Sequence, residues 1–436
     1  MKEALERIAA EWLEGPPFPP RVQRCGLVVD PARLRSVLAV VGPRRAGKTV
    51  YLQQLIDGLL RDRAVRRGDI LFVDFEDYRL KGFKAASMDD LLGAHERLAG
   101  RPPSYLFLDE IPQAGDWSRM VRTLHNRGRH RIVVTGSNSR LLAREVATEL
   151  RGRYESVLVL PFSFEEFLTF KDLAPTRVRA RTPGGAAVAA ATFRDWLRQG
   201  GYPEVCVRET EPERRRLLQG YFETLVYRDV LDRHQIRSRG LLDDLLAWLL
   251  EAYATIFSIG AFERRFKGSG RPVSKATISS YLAILEEVFF IMRVRKFGFS
   301  PGRRLFNPSK VYLIDTGFAG LGGAFAENRG RLLENAVALE LLRRGREIFY
   351  HADRRECDFI VQEGPRVKAA VQVCWELNPS SEERELAGLE EALRATRAPK
   401  GVILTFDQEG ERRIGRWRIA VLPAWRWMAG LDNPGL

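Results

Sequence analysis

Residues 36 to 60, "SVLAVVGPRRAGKTVYLQQLIDGLL", constrain the fold more than any other stretch. Val37 to Val41 form a short apolar run, and Gly42-Pro43-Arg44-Arg45-Ala46-Gly47-Lys48-Thr49 follows. Leu52, Leu55, Ile56 and Leu59 then recur at helical spacing. A strand running into a glycine-bearing turn and then a helix is the context that G-x-x-x-x-G-K-T requires. Such a turn captures an anion, because its glycines let amide N–H groups point inward and the helix start adds its positive end. The segment predicts an α/β domain that holds a triphosphate on Gly42, Pro43, Arg44, Arg45, Ala46, Gly47, Lys48, Thr49 and Val50. Lys48 would reach the β- and γ-phosphates, and the Thr49 hydroxyl would hold Mg²⁺.

A phosphate loop needs a second metal ligand. "SYLFLDEI", residues 104 to 111, is an apolar strand ending in Asp109-Glu110. Asp109 is placed to hold Mg²⁺, and Glu110 to orient and deprotonate an attacking water, which favours hydrolysis of ATP over its use as a donor. "DILFVDFED" (69 to 77) reads as a further parallel strand with a polar end. "RIVVTGSNSRLL" (131 to 142) is another, whose Ser137 and Asn138 would sense the γ-phosphate and position water, the alternative being that Ser137 or Ser139 caps the next helix. Arg151 and Arg153, in "ELRGRYESVLVLPFSFEEFL", would either reach a neighbouring subunit's ATP as an arginine finger or pair with local acids.

Order and wording of these segments matter together. With "GPRRAGKT", "LFLDEI", "VTGSNSRLL" and "GRYESVLVLPFSFEEFL" in sequence, residues 20 to 170 resemble the ATPase core of the AAA superfamily. More narrowly they resemble a prokaryotic family whose C-terminal region is a domain of unknown function. "GGYPEV" and "ETLVYRDVLDRH" resemble the helical segment that follows the core in that family.

The chain has 436 residues, 45% hydrophobic and 29% charged, which fits a soluble globular protein of several domains. No apolar run is long enough to span a membrane. The first residues, "MKEALERIAAEWLEG", read as an amphipathic helix without the features of a secretory signal. Cys25, Cys206, Cys357 and Cys374 have neither disulfide-framework nor zinc spacing, so a cytoplasmic location is expected. The net charge of +14 points to an anionic partner. Between Arg264 and Lys310 there are eleven Lys/Arg against two acids, +9 in 47 residues.

That basic stretch has a pattern. A short element, "SIGAFERRFK", precedes a helix capped by Ser274, and two strands follow around Ser300-Pro301-Gly302. Helix, turn, helix and basic hairpin is a winged-helix pattern, a module used on DNA and also for packing. Arg264, Arg265, Lys267, Lys275, Arg293, Arg295, Lys296, Arg303 and Arg304 would contact phosphates, binding DNA with little sequence preference. Single-stranded and branched DNA are among the partners expected.

Helix, strand, strand, helix, strand over the last hundred residues resembles the restriction-endonuclease-like fold. Glu334, Asp358, Gln372 and Cys374 stand at its site positions. A working site needs a carboxylate at 372 and a lysine at 374, so a degenerate, catalytically inactive nuclease site is expected. The expected organisation is an ATPase domain (1–170), a linker (171–192), a helical lid (193–240), a winged-helix domain (241–318) and an endonuclease-like domain (328–430). The expected function is a Mg²⁺-dependent AAA-type ATPase that couples hydrolysis to DNA remodelling or translocation. A homo-oligomer, with a hexameric ring as one arrangement, would carry it out. The alternatives are an NTP-switched signalling or defence ATPase whose C-terminal half binds protein, and an ATP-coupled nuclease.

Overall fold

The computed structural model describes residues 2–19, 21–27, 29–62, 64–137, 153–173, 182–268, 273–299, 307–323 and 328–436. The chain forms two compact units, Met1–Leu160 and Pro161–Leu436. It is an α/β protein built on one parallel and one mixed sheet.

The first unit is a five-stranded parallel sheet. Its strands are β1 (Val37–Val41), β2 (Ile70–Asp74), β3 (Tyr105–Asp109), β4 (Arg131–Gly136) and β5 (Tyr154–Leu158). Spatially the order is β2-β3-β4-β1-β5. β1 and β3 are therefore not neighbours, and β4 lies between them, pairing Val40 with Thr135 and Leu108 with Val134. β3 is buried along its whole length, as expected for a strand covered on both faces. Helices α1 (Lys2–Glu14), α2 (Lys48–Arg61), α3 (Ser87–Ala99) and α4 (Trp117–Arg127) pack on the sheet. The amphipathic α1 buries Leu5, Ile8, Ala9 and Trp12, and the Trp12 indole N–H donates to the Ile70 carbonyl.

The second unit opens with α5 (Phe164–Phe170) and α6 (Pro183–Gln199). α6 corrects the expected linker at its C-terminal end. Residues 183–192 are helical, since Thr182 caps the helix by accepting the Gly185 N–H, Pro183 sits in the first turn, and the alanines that follow are strong helix formers. Next come α7 (Pro203–Val207), α8 (Glu211–Thr224), α9 (Arg239–Glu251), β6 (Thr255–Phe257), α10 (Ile259–Gly268) and α11 (Lys275–Glu287). Ser274 caps α11 by accepting the Thr277 N–H, and Ile278, Leu282 and Leu285 face inward.

The remaining elements are β7 (Ile291–Lys296), β8 (Ser309–Leu313), α12 (Arg329–Arg343), β9 (Glu347–Ala352), β10 (Glu356–Glu363), β11 (Arg366–Val373), α13 (Pro379–Thr396), β12 (Gly401–Thr405), β13 (Gly410–Ile414), β14 (Trp417–Pro423) and α14 (Ala424–Met428). One nine-stranded mixed sheet joins them in the order β13-β14-β12-β11-β10-β9-β7-β8-β6. β7 meets β9 in parallel through Arg295↔Phe349 and Lys296↔Tyr350. Strands from the expected winged-helix segment thus continue the sheet of the last hundred residues. The side chain of Asn335 on α12 accepts the Leu313 N–H and donates to the Leu313 carbonyl, both at 2.8 Å, docking α12 on β8.

Candidate nucleotide site

β1 ends at the phosphate loop. Gly42 has φ +156°, and a Cβ there would lie 2.0 Å from the Val159 carbonyl oxygen, so only glycine lets the chain leave the sheet at this point. Gly47, at φ +96°, starts α2 in the left-handed region. Lys48 is buried at the helix start, and its ammonium donates to the Gly42 and Pro43 carbonyls at 3.2 and 3.1 Å. The same ammonium lies 3.2 Å from Glu110 Oε1. Arg44 pairs with Glu76 beyond the end of β2 at 3.1 Å.

The acidic pair sits at the end of β3. The Thr49 hydroxyl donates to Asp109 Oδ2 at 2.6 Å, and the Thr135 hydroxyl donates to Asp109 Oδ1. Thr135 in turn accepts the Glu110 backbone N–H at 2.8 Å. Glu110 is held in the left-handed region, φ +45°, which turns its side chain toward Lys48. Burial pushes the Asp109 carboxyl up to about 6, against the pull of its hydrogen bonds from Thr135 and Thr49. Burial acts on Glu110 in the same direction, but the charges of Lys48 and Arg44 and hydrogen bonds from Lys48 and Ser137 outweigh it. Glu110 therefore lies below the ordinary carboxylate value and stays ionised at neutral pH. A hydroxyl and a carboxylate in contact are hard oxygen donors, so Thr49 and Asp109 fit Mg²⁺.

Comparison with known proteins identifies the family. A family model described as AAA domain matches residues 34–168, and one described as Domain of unknown function (DUF8612) matches residues 190–325. The uncharacterized protein MJ1544 of Methanocaldococcus jannaschii is 32% identical over 403 residues, covering 90% of this chain and 88% of its own length. The chain belongs to the AAA-superfamily P-loop ATPases with a C-terminal domain of unknown function. An uncharacterized protein of Haemophilus influenzae is 28% identical, covering 80% of this chain and 85% of its own length. Among solved structures the AAA chain is similar to the Walker-type ATPase PABY2304 of Pyrococcus abyssi. The identity is 15% and the TM-score 0.44, with 74% of this chain and 95% of that one covered.

The other expected site residues of this AAA protein divide clearly. Ser137 is buried and hydrogen-bonds Glu110, whereas Asn138 and Arg151 lie outside the described residues. Arg153 is exposed, and its guanidinium donates to Asn126 Oδ1 at 3.2 Å. Its carbonyl accepts the Val37 N–H, which puts it at the opening of β1, at the end of the sheet away from the loop. Five residues of strand, roughly 16 Å, separate it from the phosphate loop of its own chain. Thr135, the residue that couples the two acids, was not singled out by sequence reasoning. Its signal was a lone hydroxyl on an apolar strand end.

The basic candidates are not equally free to bind. Arg293 pairs with Glu286 at 2.7 Å, Lys296 with Asp353 at 2.7 Å and Lys267 with Glu263 at 3.1 Å. Arg265 lies over the Trp248 ring, 4.9 Å from its centroid. Arg264, Lys275 and Arg295 are exposed, and the first two both approach Gly260. Arg303 and Arg304 lie outside the described residues.

The nuclease-like positions are brought together around a residue that sequence reasoning missed. Glu334 and Asp358 meet at the ammonium of Lys310, which comes from β8. Gln372 accepts the Asp358 N–H at 3.4 Å and donates to Glu385 at 2.5 Å. Cys374 is buried, and burial, then Glu385 and Asp358, push its thiol up to about 12, which leaves no thiolate at neutral pH. Lys310 and Tyr312 stand two apart on one strand face, and that spacing was the available signal. No described helix is long and apolar enough to cross a membrane.

Proposed function

We propose that this AAA protein hydrolyses ATP with Mg²⁺ and couples the reaction to DNA. The contact between Thr49 and Asp109, with Glu110 beside Lys48, carries the first half of the reading. When bound, Mg²⁺ would neutralise phosphate charge between the Thr49 hydroxyl and Asp109. An arriving triphosphate competes with Glu110 for the Lys48 ammonium, so binding itself frees a carboxylate that is already ionised to accept a proton from water. Ser137 keeps that carboxylate oriented.

The exposed cations Arg264, Lys275 and Arg295, with Arg265 on Trp248, support DNA as the partner. They sit on or beside the helix–helix–strand arrangement of α10, α11 and β7, which we read as a winged-helix module. An oligomer in which Arg153 reaches a neighbour's ATP completes the reading, because this arginine is too far from its own site. No nuclease activity is proposed: Gln372 is spent on Asp358 and Glu385, and Cys374 offers no cation.

The test is steady-state hydrolysis by the purified full chain, with and without Mg²⁺ and with single-stranded, duplex and branched DNA. Lys48→Ala should weaken nucleotide binding, and Glu110→Gln should bind ATP normally while turning over at least about 100-fold more slowly. Full turnover by Glu110→Gln would refute the assignment of this carboxylate. Indifference of the rate to every DNA form, together with no salt-sensitive DNA binding, would favour the protein-binding signalling alternative.

A further inference from the structure

Three carboxylates of the second unit converge on one ammonium. Lys310 Nζ lies 2.8 Å from Glu334 Oε1, 2.6 Å from Glu356 Oε1 and 2.9 Å from Asp358 Oδ1, and its side chain is 1% exposed. An ammonium has three N–H donors and no acceptor, so three different side chains meet its entire capacity. The carboxylates are engaged further. The Tyr312 hydroxyl donates to Glu334 Oε1 at 2.7 Å, and the Val373 N–H donates to Asp358 Oδ2 at 2.9 Å. The Gln372 oxygen accepts the Asp358 N–H, and its amide nitrogen donates to Glu385.

We infer that the Lys310 ammonium takes the place a divalent cation would hold among Glu334, Glu356 and Asp358, making this a cation site that the chain fills itself. Hard divalent ions take oxygen ligands at about 2.0–2.6 Å. The oxygens that converge here are the three engaged by the ammonium, so metal and lysine compete for the same atoms. The lysine has the advantage of being tethered, because β8 fixes its backbone against β7 and β6. Asn335 clamps α12 to β8 at Leu313, which holds Glu334 in register with Lys310. Asp358 and Glu356 come from β10, so the filled site joins three elements far apart in the chain. The inference does not rest on the ATPase reading, since its residues all lie in the second unit.

The experiment uses the full chain without nucleotide, titrated with Mn²⁺ alone and followed by loss of the free-ion electron paramagnetic resonance signal. Wild type, Asp358→Asn and the more exposed Glu356→Gln should take up equal Mn²⁺, because any weak sites elsewhere are common to all three. Lys310→Met should gain one bound Mn²⁺ and a higher melting temperature on its addition, and both gains should vanish in Lys310→Met/Asp358→Asn. A Mn²⁺ bound by wild type and lost in Asp358→Asn or Glu356→Gln overturns the inference. So does a folded Lys310→Met that gains none. Where Lys310→Met does not fold, the comparison of wild type with the two carboxylate variants decides alone.

Discussion

The hydroxyl of Thr135 donates to Asp109 Oδ1 and takes the N–H of Glu110 as an acceptor. One side chain therefore fixes both the Asp109 carboxylate, proposed to hold Mg²⁺, and the backbone that carries Glu110, proposed to activate water. The cause is sheet order. β4 lies between the loop-bearing β1 and the acid-bearing β3, so its terminal residues face both. Thr135 pairs with Val40, one residue before the end of β1, and so stands level with the start of the phosphate loop.

Thr135→Val keeps the shape and removes the hydroxyl, leaving Asp109 Oδ1 and the buried Glu110 N–H without that partner. A hydrogen bond to a charged group is worth about 1.5–3 kcal/mol, and each 1.4 kcal/mol is about tenfold in rate. The expected result is a fall in turnover of about 10- to 100-fold with ATP affinity changed little, measured by steady-state kinetics and equilibrium nucleotide titration. Thr135→Ser, which restores the hydroxyl, should recover most of the rate. Equal loss in both variants would assign Thr135 to packing alone.

Arg153 gives the second prediction. It stands at the far end of the sheet from the phosphate loop of its own chain, with Asn126 as a local partner. If it acts on a neighbouring ATP, Arg153→Ala and Lys48→Ala proteins should each be nearly inactive, and their mixture should regain activity. Random pairing restores one intact site facing one intact arginine at roughly a quarter of interfaces. A mixture no more active than its parts would leave Arg153 with Asn126 only.

Local chemistry was the part of this molecule legible in the sequence. The loop, Lys48, Thr49 and Asp109-Glu110 are each defined by a few adjacent residues between a strand and a helix, and the structure places them together. Strand order is a long-range property, so the partnership of Thr135 with Asp109 was invisible although both residues were in view. Lys310 is 24 residues from Glu334 and 48 from Asp358, and in the sequence it only closes the basic stretch counted for its net charge. Burial inside a carboxylate nest is set by sheet pairing, which composition does not reveal. The helical run after Pro183 was hidden for the opposite reason. Its alanines and glycines lack an apolar period, and capping and intrinsic propensity decide the outcome there.

The ion pairs of the basic segment sharpen the DNA prediction. Removing Arg264, Lys275 and Arg295 together should flatten the dependence of log K on log salt by up to about 0.9 for each lost phosphate contact. Removing Arg293 and Lys296 should act mainly on stability, since Glu286 and Asp353 would lose their partners. Titrations of labelled duplex at several salt concentrations measure the slopes. A larger change from Arg293 and Lys296 than from the exposed set would make those two paired cations the main phosphate contacts.

The last prediction concerns the "GGYPEV" segment, whose glycines have a packing reason. A Cβ on Gly200, at φ +78°, would fall 1.8 Å from Asp315 Oδ1, and one on Gly201 would fall 2.2 Å from the Phe162 carbonyl oxygen. This close approach lets buried Asp315 accept the Gly201 N–H at 2.8 Å and the Gly317 N–H at 2.9 Å. Burial pushes its carboxyl up to about 6, further than those two hydrogen bonds pull it down. The folded value thus lies above the unfolded one, near 3.8. Between the two the folded state holds a proton that the unfolded chain has released, so the contribution is complete below about pH 4 and lost as pH rises through about 6. At 1.36 kcal/mol per pKa unit this amounts to about 3 kcal/mol. Asp315→Asn cannot titrate and sets one amide donor against a glycine N–H, so it should be less stable than wild type, by more at pH 4 than at pH 7. Hydrogen exchange across residues 310–320, compared in the two proteins at pH 4, 5, 6 and 7, reads this locally. A stability difference that stays flat over that range would show that Asp315 titrates like an ordinary surface carboxylate.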